Sequence, residues 1–228
     1  MKKLLFLVGS AAVLLFSCGN PKKETTNNAP ANDTLSVLFK DAALPLLIDT
    51  NILYKLETFD SIKSNVINLL ALEIDTSELT KDNLYTLNTF YKIDSLKTAG
   101  KYKQYCDSLD IGMPKNATAH ALYKIKMDSN TTGYVWGIHY TSYEACPSTT
   151  TNTAFISVMH NKKITETFCL GNAFWFADPP NISNEWTYTT ITKNPSVFMD
   201  ETKTVDDIDD SLAPEITHWK TRREFKPY

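Results

Sequence analysis

The sequence is poor in glycine and has no excess of positive charge, and each shortage excludes a class of protein. Only 7 of its 228 residues are glycine and 10 are proline, which excludes collagen-like and low-complexity chains. The formal net charge of −3 argues against general nucleic-acid binding, which needs clustered Lys and Arg. Hydrophobic residues make up 43% of the chain, which is too many for a wholly disordered protein. We therefore expect a folded domain that does not bind nucleic acid.

The motifs of common enzymes are also lacking. The sequence has no Gly-x-Ser-x-Gly elbow, no Gly-rich phosphate loop and no Ser-x-x-Lys motif. No two histidines are three or four residues apart, which is the spacing of a zinc-binding helix. We expect only His139 and His160 to lie on neighbouring strands, and we do not expect them to be directly opposite each other. The four histidines are His120, His139, His160 and His218. We expect no catalytic residues, no metal and no cofactor.

One acidic run lies near the carboxyl end of the chain. Its four carboxylates belong to Asp206, Asp207, Asp209 and Asp210. Carboxylates at this density attract Ca²⁺, but the glycine and the late glutamate of an EF-hand loop are missing. We expect a solvated loop between the last two strands, and the sequence leaves Ca²⁺ binding open.

The long hydrophobic run of the chain lies at its amino end. Lys2 and Lys3 precede an uncharged, mostly apolar segment from Leu4 to Ser17, which is too short to span a bilayer as a helix. A basic start followed by a short apolar core is typical of a signal peptide. The segment ends Leu15-Phe16-Ser17-Cys18-Gly19. This ending resembles the lipobox of bacterial lipoproteins, with Leu three residues before the Cys and small residues on both sides of it.

The resemblance implies that Cys18 is the lipidated residue. In that family the thiol receives a diacylglycerol, the signal peptide (here residues 1–17) is removed, and the new amino group is acylated, for example with palmitate. Several acyl chains give stable anchoring, whereas one chain binds a membrane only marginally. The mature chain of 211 residues would then carry a formal charge of −5, because Lys2 and Lys3 are lost. We expect the protein to be located in the bacterial cell envelope. Its lipid would lie in the outer membrane, and the protein would face the periplasm or the cell surface.

Residues 18–34 predict a flexible tether, because from Asn20 to Asp33 the chain contains no large apolar residue. Five triplets of Asp, then Ser or Thr, then an apolar residue resemble the O-glycosylation sequon of one large group of Gram-negative bacteria. The candidate acceptors are Thr34, Ser61, Ser95, Ser108 and Ser211. The alternative is that these Asp-Ser and Asp-Thr pairs serve as turns and helix N-caps.

Residues 35–228 predict a single β-rich domain with a change of pattern inside it. Residues 35–115 are mixed and predict short helices, one capped by Asp60 or Ser61 and one beginning at Ser77 or Thr80 and running to Leu87. In residues 116–228 polar and apolar residues alternate between turn signals such as Asn161-Lys162. This alternation predicts an antiparallel β-meander, so the fold class is mainly β with a minor α component.

The carboxyl half resembles uncharacterised β-rich lipoproteins of Gram-negative bacteria. The matching stretch begins at Phe155 with the letters FISVMHNKKITETFCLG and continues to Asp178-Pro179-Pro180. The resemblance implies strands joined by Asn-Lys turns and brings no catalytic residues.

Two features of this half bear on function and stability. The densest aromatic patch is Phe174-Trp175-Phe176. Its alternate side chains either fill the core of the sheet or form an exposed surface that stacks on sugars or docks a partner. Disulfides can form in an exported protein, because its compartment is oxidising. If Cys169 lies at the end of its strand in the meander, Cys146 and Cys169 lie at the same end of the sheet. We predict that pair as the disulfide, with Cys106 as a thiol and its pairing with either of them as the alternative.

These observations predict a lipid-anchored envelope protein that acts as a non-enzymatic binding or structural module. Its expected partners are the membrane, through the lipid, and a glycan or protein ligand. The alternatives are a hydrolase of envelope or glycan material and an immunity-type inhibitor of an incoming toxin.

Overall fold

A computed structural model of the chain describes residues 31–74, 76–109, 115–143, 148–178, 181–194, 197–207 and 215–224. The protein is mainly β, as predicted, and the described strands form one ten-stranded sheet. The strands are β1 (Lys40–Asp41), β2 (Leu46–Ile48), β3 (Asp60–Ile62), β4 (Asn116–Lys126), β5 (Thr131–Tyr143), β6 (Ser148–His160), β7 (Lys163–Asp178), β8 (Asn181–Ile191), β9 (Val197–Asp207) and β10 (Glu215–Glu224). The helices are α1 (Ala31–Leu38), α2 (Thr50–Leu53), α3 (Ser64–Leu70), α4 (Lys81–Thr98) and α5 (Tyr102–Asp107), with 3₁₀ turns at Leu56–Thr58 and Thr76–Glu78.

The carboxyl half is the predicted antiparallel meander. Strands β4 to β10 are hydrogen-bonded in chain order, each antiparallel to the next. The turn between β6 and β7 is Asn161-Lys162, and both residues have positive φ angles, 48° and 68°. This left-handed pair matches the right-handed twist of the strands that it joins, which is why a two-residue turn forms here.

The amino-terminal segment joins the sheet in three short pieces. β1 is parallel to β4, β3 is antiparallel to β4, and β2 pairs with the end of β8. The predicted cap at Asp60 or Ser61 is wrong, because both residues lie in β3 and the cap residue of α3 is Lys63. The tether prediction is wrong for its last residues, because α1 begins at Ala31.

Helix α4 is the longest helix among the described residues. The predicted cap at Thr80 is confirmed, since its side chain accepts a hydrogen bond from the Asn83 backbone N–H. The helix continues past the predicted end at Leu87 to Thr98. Among the described residues, no helix combines the length and the hydropathy that a membrane span requires.

Strands β4 to β7 are covered on both faces of the sheet, and each face has its own core. Trp136, Phe155 and Phe90 belong to the first core, between the sheet and the α1, α3 and α4 helices. The second core lies on the other face of the sheet. It contains Ile48, Leu53, Leu56, Leu122, Ile156 and Leu170. A bulge between Ala121 and Tyr123 breaks the alternation predicted along β4, because Ala121 belongs to the first core whereas Ile125 belongs to the second.

Buried hydrogen bonds attach α3 to the first face. The Trp136 indole N–H donates to Ser157 Oγ at 2.8 Å, and that hydroxyl donates to the Leu70 carbonyl at 2.7 Å. Thr167 Oγ1 donates to the same carbonyl. Because Leu70 ends α3, these contacts satisfy a helix-terminal carbonyl and fix the helix on the sheet.

Candidate functional site

An open pocket lies between the amino end of α4 and the first face of the sheet. Two rows of side chains across β5, β6 and β7 form its floor: Tyr140, Thr151 and Phe174 in one, Ser142, Thr149 and Phe176 in the other. Residues directly opposite in an antiparallel ladder point to one face, so these rows follow from the register. The pocket has a volume of about 300 Å³. We call it the α4 pocket.

The wall of the α4 pocket comes from α4 and from the residue before β4. The lining residues of α4 are Asp82, Tyr85 and Thr86. Tyr85 and Thr86 follow Asp82 by three and four residues, a spacing that places side chains on one face of a helix. Lys115 lines it from the other side. The pocket is therefore held by regular secondary structure and not by loops alone.

Tyr85, Lys115 and Tyr140 form a contact group in the wall. Lys115 Nζ donates to Tyr85 Oη at 3.0 Å and lies 5.7 Å from the centre of the same ring. The rings of Tyr85 and Tyr140 meet edge to face, with centroids 5.7 Å apart. Both the ammonium and the tyrosine hydroxyls therefore sit at the pocket.

The pKa values of the two tyrosines move in opposite directions. Burial raises the pKa of Tyr85, but its hydrogen bonds with Lys115 and Tyr140 and the lysine charge outweigh burial and leave it below its usual value. Burial raises the pKa of Tyr140 to about 12. The two hydroxyls bond to each other, and Tyr85 also bonds to Lys115, so both are held in place at the pocket wall.

The aromatic patch of the sequence divides between the two faces of the sheet. Phe174 and Phe176 are half-buried, line the α4 pocket, and have nearly parallel rings with centroids 6.3 Å apart. Trp175 lies between them in β7 and so belongs to the opposite face. The two phenylalanines thus belong to a pocket and not to either buried core.

A second aromatic pocket lies on the opposite face of the sheet. Its lining comprises Thr50, Tyr54, Trp186 and Tyr188, and its volume is about 290 Å³. The Trp186 indole N–H donates to Tyr54 Oη at 2.7 Å, which links β8 to the end of α2. Four side chains line this pocket, against ten in the α4 pocket, and two of their polar groups bond to each other, so it offers a ligand fewer directional bonds.

Two histidines, His120 and His139, lie on neighbouring strands near the 3₁₀ turn Leu56–Thr58. The expectation that only His139 and His160 lie on neighbouring strands is wrong, because His120 in β4 adjoins β5, which carries His139. His139 Nδ1 is 2.8 Å from Asn152 Oδ1, and its Nε2 is 3.6 Å from Glu57 Oε2. His120 Nδ1 donates to the Phe59 carbonyl at 3.0 Å, and burial lowers its pKa. These bonds fasten the turn to the sheet.

The remaining histidines and the acidic run do not form a site in the described structure. His160 contacts Thr131 at 3.0 Å, out of register with His139 as predicted. Asp206 and Asp207 belong to β9 and are not loop residues, while Asp209 and Asp210 lie outside the described residues. In the part of the chain that is described, no group of three His, Cys, Asp or Glu side chains is placed to hold a metal ion.

The geometric reason for a Cys146–Cys169 disulfide is wrong. Cys169 lies opposite Phe155 within β7, and the strand continues to Asp178. Ser148, at the start of β6, pairs with Ala177. The end of the sheet nearest Cys146 in sequence is therefore about 26 Å along β7 from Cys169. Cys146 itself lies outside the described residues, and Cys106 is half-buried in α5.

The candidate modification sites are only partly described. Ser61, Ser95 and Ser108 are exposed, in β3, in α4 and just after α5. Thr34 lies in α1, and Ser211 lies outside the described residues, as does Cys18. Glycosylation at these positions and lipidation at Cys18 stay predictions.

The comparisons with family models, with curated proteins and with solved structures find no match for this chain. The function is therefore inferred from the geometry of the α4 pocket. Two of its lining residues, Phe174 and Phe176, are marked in the sequence by their aromatic cluster, whereas Tyr85, Tyr140 and Lys115 have no such signal. These three are far apart in sequence and belong to one site only because α4 packs over β5.

Proposed function

We propose that the mature protein is a lipid-anchored envelope protein that binds a glycan in the α4 pocket. The observation that carries the proposal is the composition of the pocket: aromatic rings and hydroxyl groups lie side by side across three paired strands. The lipobox-like residues around Cys18 support the anchor.

The chemistry of the lining suits a sugar. The C–H face of a pyranose ring packs on an aromatic ring, and Phe174, Phe176 and Tyr85 present such rings. Sugar hydroxyls need donors and acceptors, and the partly exposed hydroxyls of the lining are those of Tyr85 and Thr149. A volume of about 300 Å³ is at the lower end for small-ligand sites, so we expect a terminal unit of a longer glycan to enter.

Binding is favoured over hydrolysis by the carboxylates of the pocket. Glycoside hydrolysis generally uses two carboxyl groups that flank the bond to be cleaved. Among the described lining residues the α4 pocket contains one carboxylate, Asp82. The pocket therefore fits the binding module better than the alternative of a glycan hydrolase.

A glycan-binding measurement tests the proposal. The lipid-anchored protein, extracted in detergent, is titrated with soluble oligosaccharides representing envelope and capsular glycans, and products are checked for new reducing ends. The proposal expects saturable binding to at least one glycan without cleavage. Saturable binding to none of them contradicts it, and cleavage of a bound glycan supports the hydrolase alternative instead.

Replacing Cys18 with Ala is expected to abolish lipid anchoring. The thiol is the attachment point that the lipobox resemblance implies, so the variant should incorporate no labelled palmitate and remain uncleaved. Ser17→Gly, which keeps a small residue before the Cys, is the matched control and should label normally. Labelling of the Cys18→Ala variant at the level of the unaltered protein would refute the anchor.

A further inference from the structure

Three exposed lysines lie at the end of the sheet where two turns meet. Lys126 is the last residue of β4, Lys162 belongs to the turn between β6 and β7, and Lys163 begins β7. The Asn161 backbone N–H donates to the Asn130 carbonyl at 3.0 Å, which joins this turn to the one between β4 and β5. None of the three lysines forms an ion pair with another residue that the structure describes. We call this surface the basic end.

Few carboxylates lie near the basic end. Asp128, in the turn between β4 and β5, accepts a hydrogen bond from the Asn130 N–H at 2.7 Å. Asp41 is paired with Lys124 at 3.2 Å, and in β7 the first carboxylate is Glu166, three residues into the strand. The basic end therefore has an excess of positive charge, although the predicted mature chain has a formal net charge of −5.

Helix α1 packs at the same end of the sheet. Lys124 Nζ, two residues from the end of β4, donates to the Ser36 carbonyl of α1 at 3.2 Å. Phe39, just after the helix, meets the ring of Tyr134 edge to face, with centroids 5.1 Å apart. Val37 of α1 is 84% exposed. An exposed apolar side chain thus lies on the helix beside the basic end.

The predicted lipid anchor keeps this end of the domain close to a membrane. Thirteen residues lead from Cys18 to Ala31, the first residue of α1, and they span at most about 45 Å. Each lysine near an anionic membrane surface strengthens attachment about fivefold, and the attraction falls off within a Debye length. Apolar side chains such as Val37 gain further by entering the headgroup region.

We infer that the basic end, together with Val37, docks on the anionic lipid headgroups of the membrane that holds the anchor. The inference rests on the lipid anchor of the proposed function and adds an orientation to it. Strand β5 runs from Thr131 at the basic end to Tyr140 at the α4 pocket, a length of about 30 Å. The docked domain therefore presents the α4 pocket away from the lipid.

The experiment measures how fast individual lysines are acylated on two kinds of vesicle. The lipidated protein is reconstituted into phosphatidylcholine vesicles with or without phosphatidylglycerol, and a water-soluble acylating reagent is added. Peptide mass spectrometry should show Lys126, Lys162 and Lys163 labelled about fivefold more slowly on the anionic vesicles. Lys81 and Lys101, exposed at the two ends of α4, should label equally on both. High salt should remove the difference.

A pair of double variants assigns the docking to the basic end. Lys162→Gln with Lys163→Gln should make the labelling rate of Lys126 nearly equal on the two vesicles. Lys81→Gln with Lys101→Gln removes the same charge elsewhere and should leave Lys126 as slow on anionic vesicles as before. Circular dichroism melts confirm that both variants are folded, as expected for exposed positions.

The outcomes separate docking from anchoring. Equal labelling of the three lysines on both vesicles, by a protein whose mass shows the acyl chains, overturns the inference and leaves the anchor in place. Slowing of Lys81 and Lys101 as strong as that of the basic end also overturns it, because the domain would then have no preferred orientation. If the mature protein carries no acyl chains, the anchor fails and the inference fails with it.

Discussion

Replacing Phe174 with Ala is expected to weaken glycan binding about tenfold, a loss of about 1.4 kcal/mol of binding free energy. Phe174 lies in the floor of the α4 pocket, in register with Thr151, and its ring is half-buried. The substitution removes the aromatic face on which a sugar ring would pack. Titration calorimetry with the best oligosaccharide measures the effect.

The control for Phe174→Ala is its neighbour in the same strand. Trp175 is also half-buried and aromatic, but it belongs to the opposite face of the sheet. We expect Trp175→Ala to leave the affinity for the glycan unchanged. If Trp175→Ala weakens binding as much as Phe174→Ala does, the α4 pocket is not the binding site.

Replacing Trp136 with Ala is expected to lower the free energy of unfolding by about 3–5 kcal/mol. Trp136 is fully buried, and its ring stacks on Phe155 with centroids 4.4 Å apart. The substitution leaves a cavity in the first core and removes the hydrogen bond from the indole to Ser157. Such a loss is a large part of the stability of an ordinary domain, which is about 5–15 kcal/mol.

Urea unfolding followed by tryptophan fluorescence and circular dichroism measures this loss. Leu72→Ala is the control, because Leu72 is 61% exposed and its truncation should cost well under 1 kcal/mol. A cost below about 1 kcal/mol for Trp136→Ala would contradict the placement of Trp136 in the centre of the first core.

The meander could be predicted from the sequence because its signals are local. Alternation over a few residues and the Asn161-Lys162 turn define the hairpin of β6 and β7 without any distant contact. The bulge at Leu122 has no such signal. It inserts one residue into the ladder, which becomes visible only when β4 is paired with β5.

Helix α4 was predicted too short because its buried face is unusually polar. Asn83, Thr86 and Thr89 are buried against the sheet, so the apolar spacing that marks a helix is interrupted along its length. The side chains of Asn83 and Thr153 meet in this interface, with Thr153 Oγ1 donating to Asn83 Oδ1 at 3.4 Å. Partners of this kind are set by tertiary packing, which a helical pattern does not encode.

The site was predictable only in its aromatic residues. The cluster from Phe174 to Phe176 stands out in the sequence, but the face that each ring occupies depends on the register of β7 with β6. Lys115 and Tyr85 are thirty residues apart and meet through the packing of α4. Strand length is also hard to read from the sequence. The disulfide prediction assumed that β7 ends near Cys169, whereas the strand continues to Asp178.

The most direct test of glycan binding in the α4 pocket is to map the amide chemical-shift changes that a bound oligosaccharide causes in the isotope-labelled protein. We expect the largest changes at Tyr85 and Thr86 of α4 and at Thr149, Thr151 and Phe174 of the sheet. Largest changes around Tyr54 and Trp186 on the opposite face would contradict it.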